Sequence, residues 1–240
     1  MSISALLRAI VLATLATFGT AKADVLRAVT ADLPPYAIEA DSSGFTLEVT
    51  RLAAERAGHT LEIRFLPWKR AQLLAQQSDD LLTFNLTRTK TREPLYLWIA
   101  PIIEYGNVFV TTGTVIDTFE TAASAGETVT RAGTAQASIV AASGAPFLEV
   151  ESPERAARML DSGRVAAWYT HDLRAAWVWR QEARSNDLTI GAKREGGVIY
   201  LAGSLGFPED IANDLREAIE AMRADGTYAA LAERYFGKTN

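Results

Sequence analysis

Between Val25 and Asn85 the chain alternates short apolar runs with segments of helical period, and few folds accept that order. Val25 to Thr30 reads as a strand, and Ala31-Asp32-Leu33-Pro34-Pro35-Tyr36 as a loop that its prolines stiffen, so that Tyr36 is presented in a fixed place. Ser42-Ser43-Gly44 opens a helix whose Phe45, Val49, Leu52 and Ala53 share one face, with Gly58 at its end. Leu61, Ile63 and Phe65 then alternate with polar residues, the period of a half-buried strand. Pro67 starts a second helix through Trp68-Lys69-Arg70-Ala71, and Leu81-Leu82-Thr83-Phe84 is a buried strand ending at Asn85. Strand, helix, strand, helix, strand predicts an α/β domain with a mainly parallel sheet and helices on its faces.

The segment leaving that last strand carries the chemistry. Asn85-Leu86-Thr87-Arg88-Thr89-Lys90-Thr91-Arg92 places short hydroxyl side chains at a strand end and a guanidinium fork seven residues beyond Asn85. Such a set suits a bound carboxylate, because backbone amides and hydroxyls donate while arginine clamps both oxygens. The same residues also suit a polar loop in which Arg92 pairs with Glu93 or with solvent.

A second α/β series occupies the middle of the chain. Tyr105 to Thr112 reads as a long strand, and the stretch Gly113 to Gly126 is poor in large apolar residues, which puts the exit from a first lobe near 112. Glu127 to Ala132 is a strand, Gly133-Thr134-Ala135-Gln136 turns into a helix of small residues, and Phe147 to Val150 is strand-like. Ser152-Pro153-Glu154 caps a helix stopped by Gly163, and Val165 to Tyr169 is a strand running into His171-Asp172. Gly196-Gly197 interrupts the chain before a strand from Val198 to Phe207. Pro208 starts the clearest helix, with Ile211, Leu215, Ala218, Ile219 and Met222 on one stripe. This order divides the chain into a first lobe over 24–112, a second over 113–195, and a return to the first over 196–240. Two long strands would form the hinge. Ligands of such architectures sit at strand carboxyl ends and between the lobes.

The first 23 residues have the form of a secretory leader: Arg8, an apolar core from Ala9 to Phe18, and the small-x-small cleavage pattern Ala21-Lys22-Ala23. Its removal makes the net charge of −5 two charges more negative, which argues against nucleic acid or an anionic membrane as partner. No cysteine is present for a disulfide, a thiolate or a lipid anchor. With two histidines, His59 and His171, there is no metal-ligand spacing, and neither a nucleophile elbow nor a phosphate-cradling loop occurs. No cofactor is expected.

Met222-Arg223-Ala224-Asp225-Gly226-Thr227-Tyr228, with Leu231-Ala232 and Tyr235-Phe236, resembles the terminal segment of the family 3 extracellular solute-binding proteins. Pro35-Tyr36, Gly44-Phe45 and Gly163-Arg164-Val165 fall where that family has its first ligand loop, its first helix and a strand entry. The resemblance covers nearly all of the chain after the leader. It implies the two-lobed type II periplasmic binding protein fold, with two mixed sheets flanked by helices and joined by a two-stranded hinge. The implied protein is a periplasmic monomer that captures a small carboxylate-bearing ligand, an amino acid or a relative, and delivers it to the membrane permease of an ABC importer.

Carried over position by position, the resemblance puts Thr87 and Arg92 on the ligand carboxylate, with Asn85 where the family often has Ser or Thr. Gly133-Thr134-Ala135 resembles the second lobe's Gly-Thr motif, whose helix amides reach the same carboxylate. The acid that the family uses for the ligand's amino group aligns with His171, while Asp172 stands one residue later. Either Asp172 reaches the ligand through a bulge, or the site lacks its carboxylate. Pro67-Trp68-Lys69-Arg70-Ala71 resembles a divergent branch, in which Arg70 is a candidate second cation of the cleft. Tyr36 and Phe45 are candidates to stack on the ligand, or to belong to the local core. Two other readings stay open on the same fold: a cyclohexadienyl dehydratase-like enzyme, with Asp32, Glu39, Asp172 or His171 as its acid, and a stand-alone ligand sensor.

Overall fold

The computed structural model describes residues 24–181 and 186–236, and the leader expected over residues 1–23 lies outside them. Strands β1 (Val25–Thr30), β2 (Thr60–Phe65) and β3 (Leu81–Thr87) are parallel neighbours, with β1 in the middle. Helices α1 (Phe45–Arg56) and α2 (Trp68–Gln77) make the crossovers. The long strand β4 (Leu97–Thr111) then leads into α3 (Phe119–Ala125), β5 (Thr128–Arg131), α4 (Ala135–Ser143), β6 (Phe147–Val150) and α5 (Pro153–Asp161). Next come β7 (Ala167–His171), α6 (Asp172–Gln181) and the two-residue β8 (Thr189–Ile190). Strand β9 (Arg194–Gly203) returns to helices α7 (Glu209–Ala224) and α8 (Thr227–Phe236).

The strands run in the order β2-β1-β3-β9-β4-β7-β5-β6, with β8 on β4. The two expected sheets therefore share β4. It pairs antiparallel with β9 along Leu97 to Asn107 and with β7 along Asn107 to Val110. The buried side chains separate in the same way. One cluster gathers Phe45, Leu82, Phe84, Ile102, Leu215 and Met222, and another gathers Val110, Val129, Leu160, Trp168 and Val178. No helix among the described residues is long and apolar enough to cross a membrane.

Two stretches differ from expectation. Strand β4 begins at Leu97, well before the Tyr105 start expected for the long strand, because Leu97, Trp98, Ala100 and Pro101 pair with Gly203, Ala202, Leu201 and Tyr200 of β9. Gly196 and Gly197 lie inside β9 instead of interrupting the chain before it. Both glycines are required there by close approach. A Cβ at Gly196 would stand 1.7 Å from the Tyr105 carbonyl oxygen, and one at Gly197 would stand 2.8 Å from the Tyr105 hydroxyl and 2.9 Å from Thr87 Cγ2. The glycine pair thus lets the returning strand press Tyr105 and Thr87 together.

Gly44 has a comparable role at the start of α1. Its φ is 118°, and a Cβ would fall 2.5 Å from the Tyr36 carbonyl oxygen. That carbonyl accepts from the backbone amides of Thr46 and Leu47 and from the Thr46 hydroxyl. The loop carrying Tyr36 is in this way fastened to the first turn of α1, with its ring fully buried.

Candidate functional site

Where β3, β5 and β7 end, side chains from the two halves of the molecule converge on a cavity of about 20 Å³. Leu33, Trp68, Asn85, Thr87 and Arg92 line it from the half built on β1 to β3. Thr134, Ala135, Gln136, His171 and Arg174 line it from the half built on β5 to β7. A larger surface groove of about 480 Å³ lies along the outer edge, beside Arg27, Glu62 and Asp80. There Arg27 is already paired with Asp80, and among the described residues no buried polar group of that groove is left wanting.

The halves meet through arginines. The Arg92 guanidinium donates to the Thr87 carbonyl at 3.1 Å, to Gln72 Oε1 at 3.0 Å and, across the cleft, to the Gly133 carbonyl at 3.2 Å. Arg131 at the end of β5 donates to the Asp32 carbonyl at 2.6 Å. Arg174 on α6 donates through Nε to the Pro34 carbonyl at 3.3 Å and lies over the Tyr36 ring. Among the described residues none of the three forms a salt bridge that would neutralise it. Burial lowers the affinity of each for its proton, and Arg174 adds to the effect on Arg131, which falls to about 10.

His171 closes β7 and is buried. Its ring stacks on Tyr105 with centroids 3.6 Å apart, and Nδ1 lies 3.2 Å from the Tyr36 hydroxyl. Burial pushes the Tyr36 phenol well above its ordinary range, so it keeps its proton. Nδ1 and the Tyr36 hydroxyl share this hydrogen bond, and the tautomer of His171 sets which of the two donates. Among the described residues Nε2 has no partner. Tyr105 in turn shares a hydrogen bond of 3.0 Å with the Thr87 hydroxyl.

Burial, and secondarily the Arg174 charge, hold His171 well below its ordinary value of 6.5. Since the folded state resists protonation that the unfolded chain accepts, stability is complete above about pH 6.5 and is lost as pH falls below it. This group therefore makes the fold less stable at pH 5.5 than at pH 7.5. Denaturant midpoints at the two pH values should therefore differ, and His171→Gln should reduce the difference.

Most of the residues singled out in the sequence meet here. Asn85, Thr87, Arg92, Thr134, Ala135 and His171 all line the cavity. Asn85, at a φ of 71°, is fixed by bonds with Thr30 and Thr46. Thr134 caps α4, accepting from the Ala137 amide and donating to the Arg131 carbonyl, while the Ala135 and Gln136 amides at the helix start have no intrahelical acceptor. Tyr36 stands behind the cavity, against His171, and Phe45 belongs to the core with Tyr228 and Phe236.

Two candidates are displaced. Asp172 does not line the cavity: as the first residue of α6 it accepts from the Gly106 and Leu173 amides and pairs with Lys193 at 2.5 Å. The β7 ladder runs unbroken through His171, so no bulge turns Asp172 inward. Arg70 lies on the exposed face of α2, outside the lining, because the buried face of that helix is taken by Trp68, Ala71 and Ala75. Glu39 is exposed and Asp32 offers its carboxylate to the Glu39 amide, so neither places an acid in the cavity.

Arg174, Arg131 and Gln136 were not legible as site residues. A signal existed for Arg174, which occupies the buried stripe of α6 with Ala175, Val178 and Trp179. An arginine on an apolar stripe needs a polar destination. Gln136 is held by Asn107, whose side chain reaches the Glu195 carbonyl on β9, a link that only the assembled sheet creates.

The sequence profile of the bacterial extracellular solute-binding proteins, family 3, matches residues 26–238. The chain belongs to that family. Its fold is the α/β type II periplasmic binding protein fold, shared with solved structures of low sequence identity. An ancestral arginine-binding protein bound to arginine is 21% identical with a TM-score of 0.79, covering 89% of this chain and 98% of its own. The substrate-binding protein of an amino acid ABC transporter is 19% identical with a TM-score of 0.73, covering 90% and 100%. An ancestral amino acid-binding protein described as a precursor of cyclohexadienyl dehydratase is 19% identical with a TM-score of 0.78, covering 88% and 95%. Among curated proteins, none matches the chain in sequence.

Proposed function

We propose that this family 3 protein is a periplasmic receptor that captures a small carboxylate-bearing ligand between two lobes and delivers it to an ABC importer. Residues 24–112 and 196–240 form one lobe and 113–195 the other, with β4 and β9 as the hinge between them. The observation that carries this reading is Arg92, whose guanidinium lies in the cleft with only neutral acceptors, one of them across the cleft. A cavity of about 20 Å³ holds no more than a water. A ligand therefore enters when the lobes part, and Arg92 exchanges the Gly133 carbonyl for a carboxylate. Thr87 and the first amides of α4 complete the anion's partners. Reclosure presents a surface that the permease reads, and the ligand's differential affinity for the closed form drives the shift.

Catalysis is the weaker reading, although the fold's relatives include the dehydratase precursor. Elimination from a cyclic carboxylate needs an acid beside the clamped group. His171 is held neutral, and Asp172, Asp32 and Glu39 stand outside the cavity. Capture, by contrast, needs only the arginines and the donors around them.

A thermal-shift screen of the purified protein against α-amino acids and against the same acids without the amino group tests this reading. A ligand at a thousand times its dissociation constant should stabilise the fold by about 4 kcal/mol. A screen in which no carboxylate moves the transition, at millimolar concentration, would remove the proposal.

A further inference from the structure

We infer that the ligand is a short organic dianion, with two carboxylates and no ammonium group. The inference deepens the carboxylate-capture reading and rests on it. Of the ten residues that line the cavity, Arg92 and Arg174 are cationic and none is an acid. Arg174 is buried and uses Nε on the Pro34 carbonyl, while Arg131, also buried, stands close enough to repel it. The acids that act on this pair are Glu154 for both, and Asp32 and Glu151 for Arg131. None of them forms a salt bridge with either arginine.

An ammonium group would enter this cleft with no carboxylate to meet it and with arginines to repel it. A second carboxylate would meet the opposite environment. Arg92 comes from the loop after β3 and Arg174 from α6, so the two guanidinium groups enter from opposite halves. A ligand bearing an anion at each end bridges them and offsets the charge that closure buries. His171 Nε2, buried and without a partner among the described residues, adds an unmet polar atom to the same lining.

Isothermal titration of the purified protein with glutarate, L-glutamate, butyrate and L-arginine separates the possibilities. Glutarate and L-glutamate share a carbon chain and differ in the ammonium group. Butyrate keeps one carboxylate, and L-arginine is a net cation. Glutarate should bind at least tenfold tighter than L-glutamate and a hundredfold tighter than butyrate, with no heat from L-arginine. In Arg174→Gln the ratio of glutarate to butyrate affinity should fall at least tenfold, and Arg174→Lys should restore part of it. Far-UV circular dichroism checks that both variants fold. Equal affinity for glutarate and butyrate, or tight binding of L-arginine, overturns the inference and leaves carboxylate capture standing. Loss of both acids' binding in Arg174→Gln with no rescue by lysine also overturns it. If none of the four binds, the inference and the capture reading fall together.

Discussion

Replacing Arg92 with alanine should lower the affinity for a carboxylate ligand by roughly a hundredfold or more. A hydrogen bond to a charged group contributes about 1.5–3 kcal/mol, and a guanidinium fork supplies two. Every 1.4 kcal/mol is about a tenfold change, so even the low end of that range reaches two orders of magnitude. The fold itself should be little affected. Arg92 is only half-buried, and what it loses in bonds to the Thr87 and Gly133 carbonyls is offset by relief from desolvating an unpaired charge. Titration calorimetry beside a thermal melt separates the two effects. An unchanged affinity would show that the guanidinium belongs to the closed cleft and never meets the ligand. Arg92→Lys should fall between wild type and alanine, since an ammonium keeps the charge but not the fork.

The second large effect is expected at His171. Aspartate there should raise affinity for α-amino acids by about tenfold or more, because a desolvated charge pair within a cleft couples by about 1.5 kcal/mol or above. Arg174 beside the position and the Tyr36 hydroxyl against it would keep the new carboxylate ionised. The same substitution should weaken a dianionic ligand, which meets a like charge. Titration with glutarate and an α-amino acid reads both directions in one variant. If amino-acid affinity does not rise, position 171 does not face the part of the ligand that carries the amino group. Asp172 cannot substitute for it, being committed to Gly106, Leu173 and Lys193.

The residues behind these two effects differ in how far they could be read before the chain was folded. The strand–helix alternation over Val25 to Asn85, the caps at Ser152 and Thr134 and the stripe on α7 all act locally, through periods and side-chain-to-backbone bonds a few residues apart. Thr87 and Arg92 stood out for the same reason, lying at and just beyond a strand end, whereas Gly133-Thr134-Ala135 was singled out by the resemblance to the family. The limits of β4 and β9 were not legible, since Leu97–Pro101 and the Gly196-Gly197 pair take their structure from each other's backbone, about a hundred residues away.

What the sequence determined by itself is thus the family, the order of the elements and the position of Thr87 and Arg92 at and beyond a strand end. Which cations reach the cavity was decided by the tertiary structure. Arg70 and Arg174 both sit near a helix start, but burial of Trp68, Ala71 and Ala75 turns Arg70 to solvent, while Arg174 shares the buried stripe of α6 and meets Pro34 and Tyr36. Likewise the choice between His171 and Asp172 depended on where β7 gives way to α6. The alternation of a strand sends one residue to the cavity and lets the next cap the helix, and only the register of β7 on β4 fixes which is which.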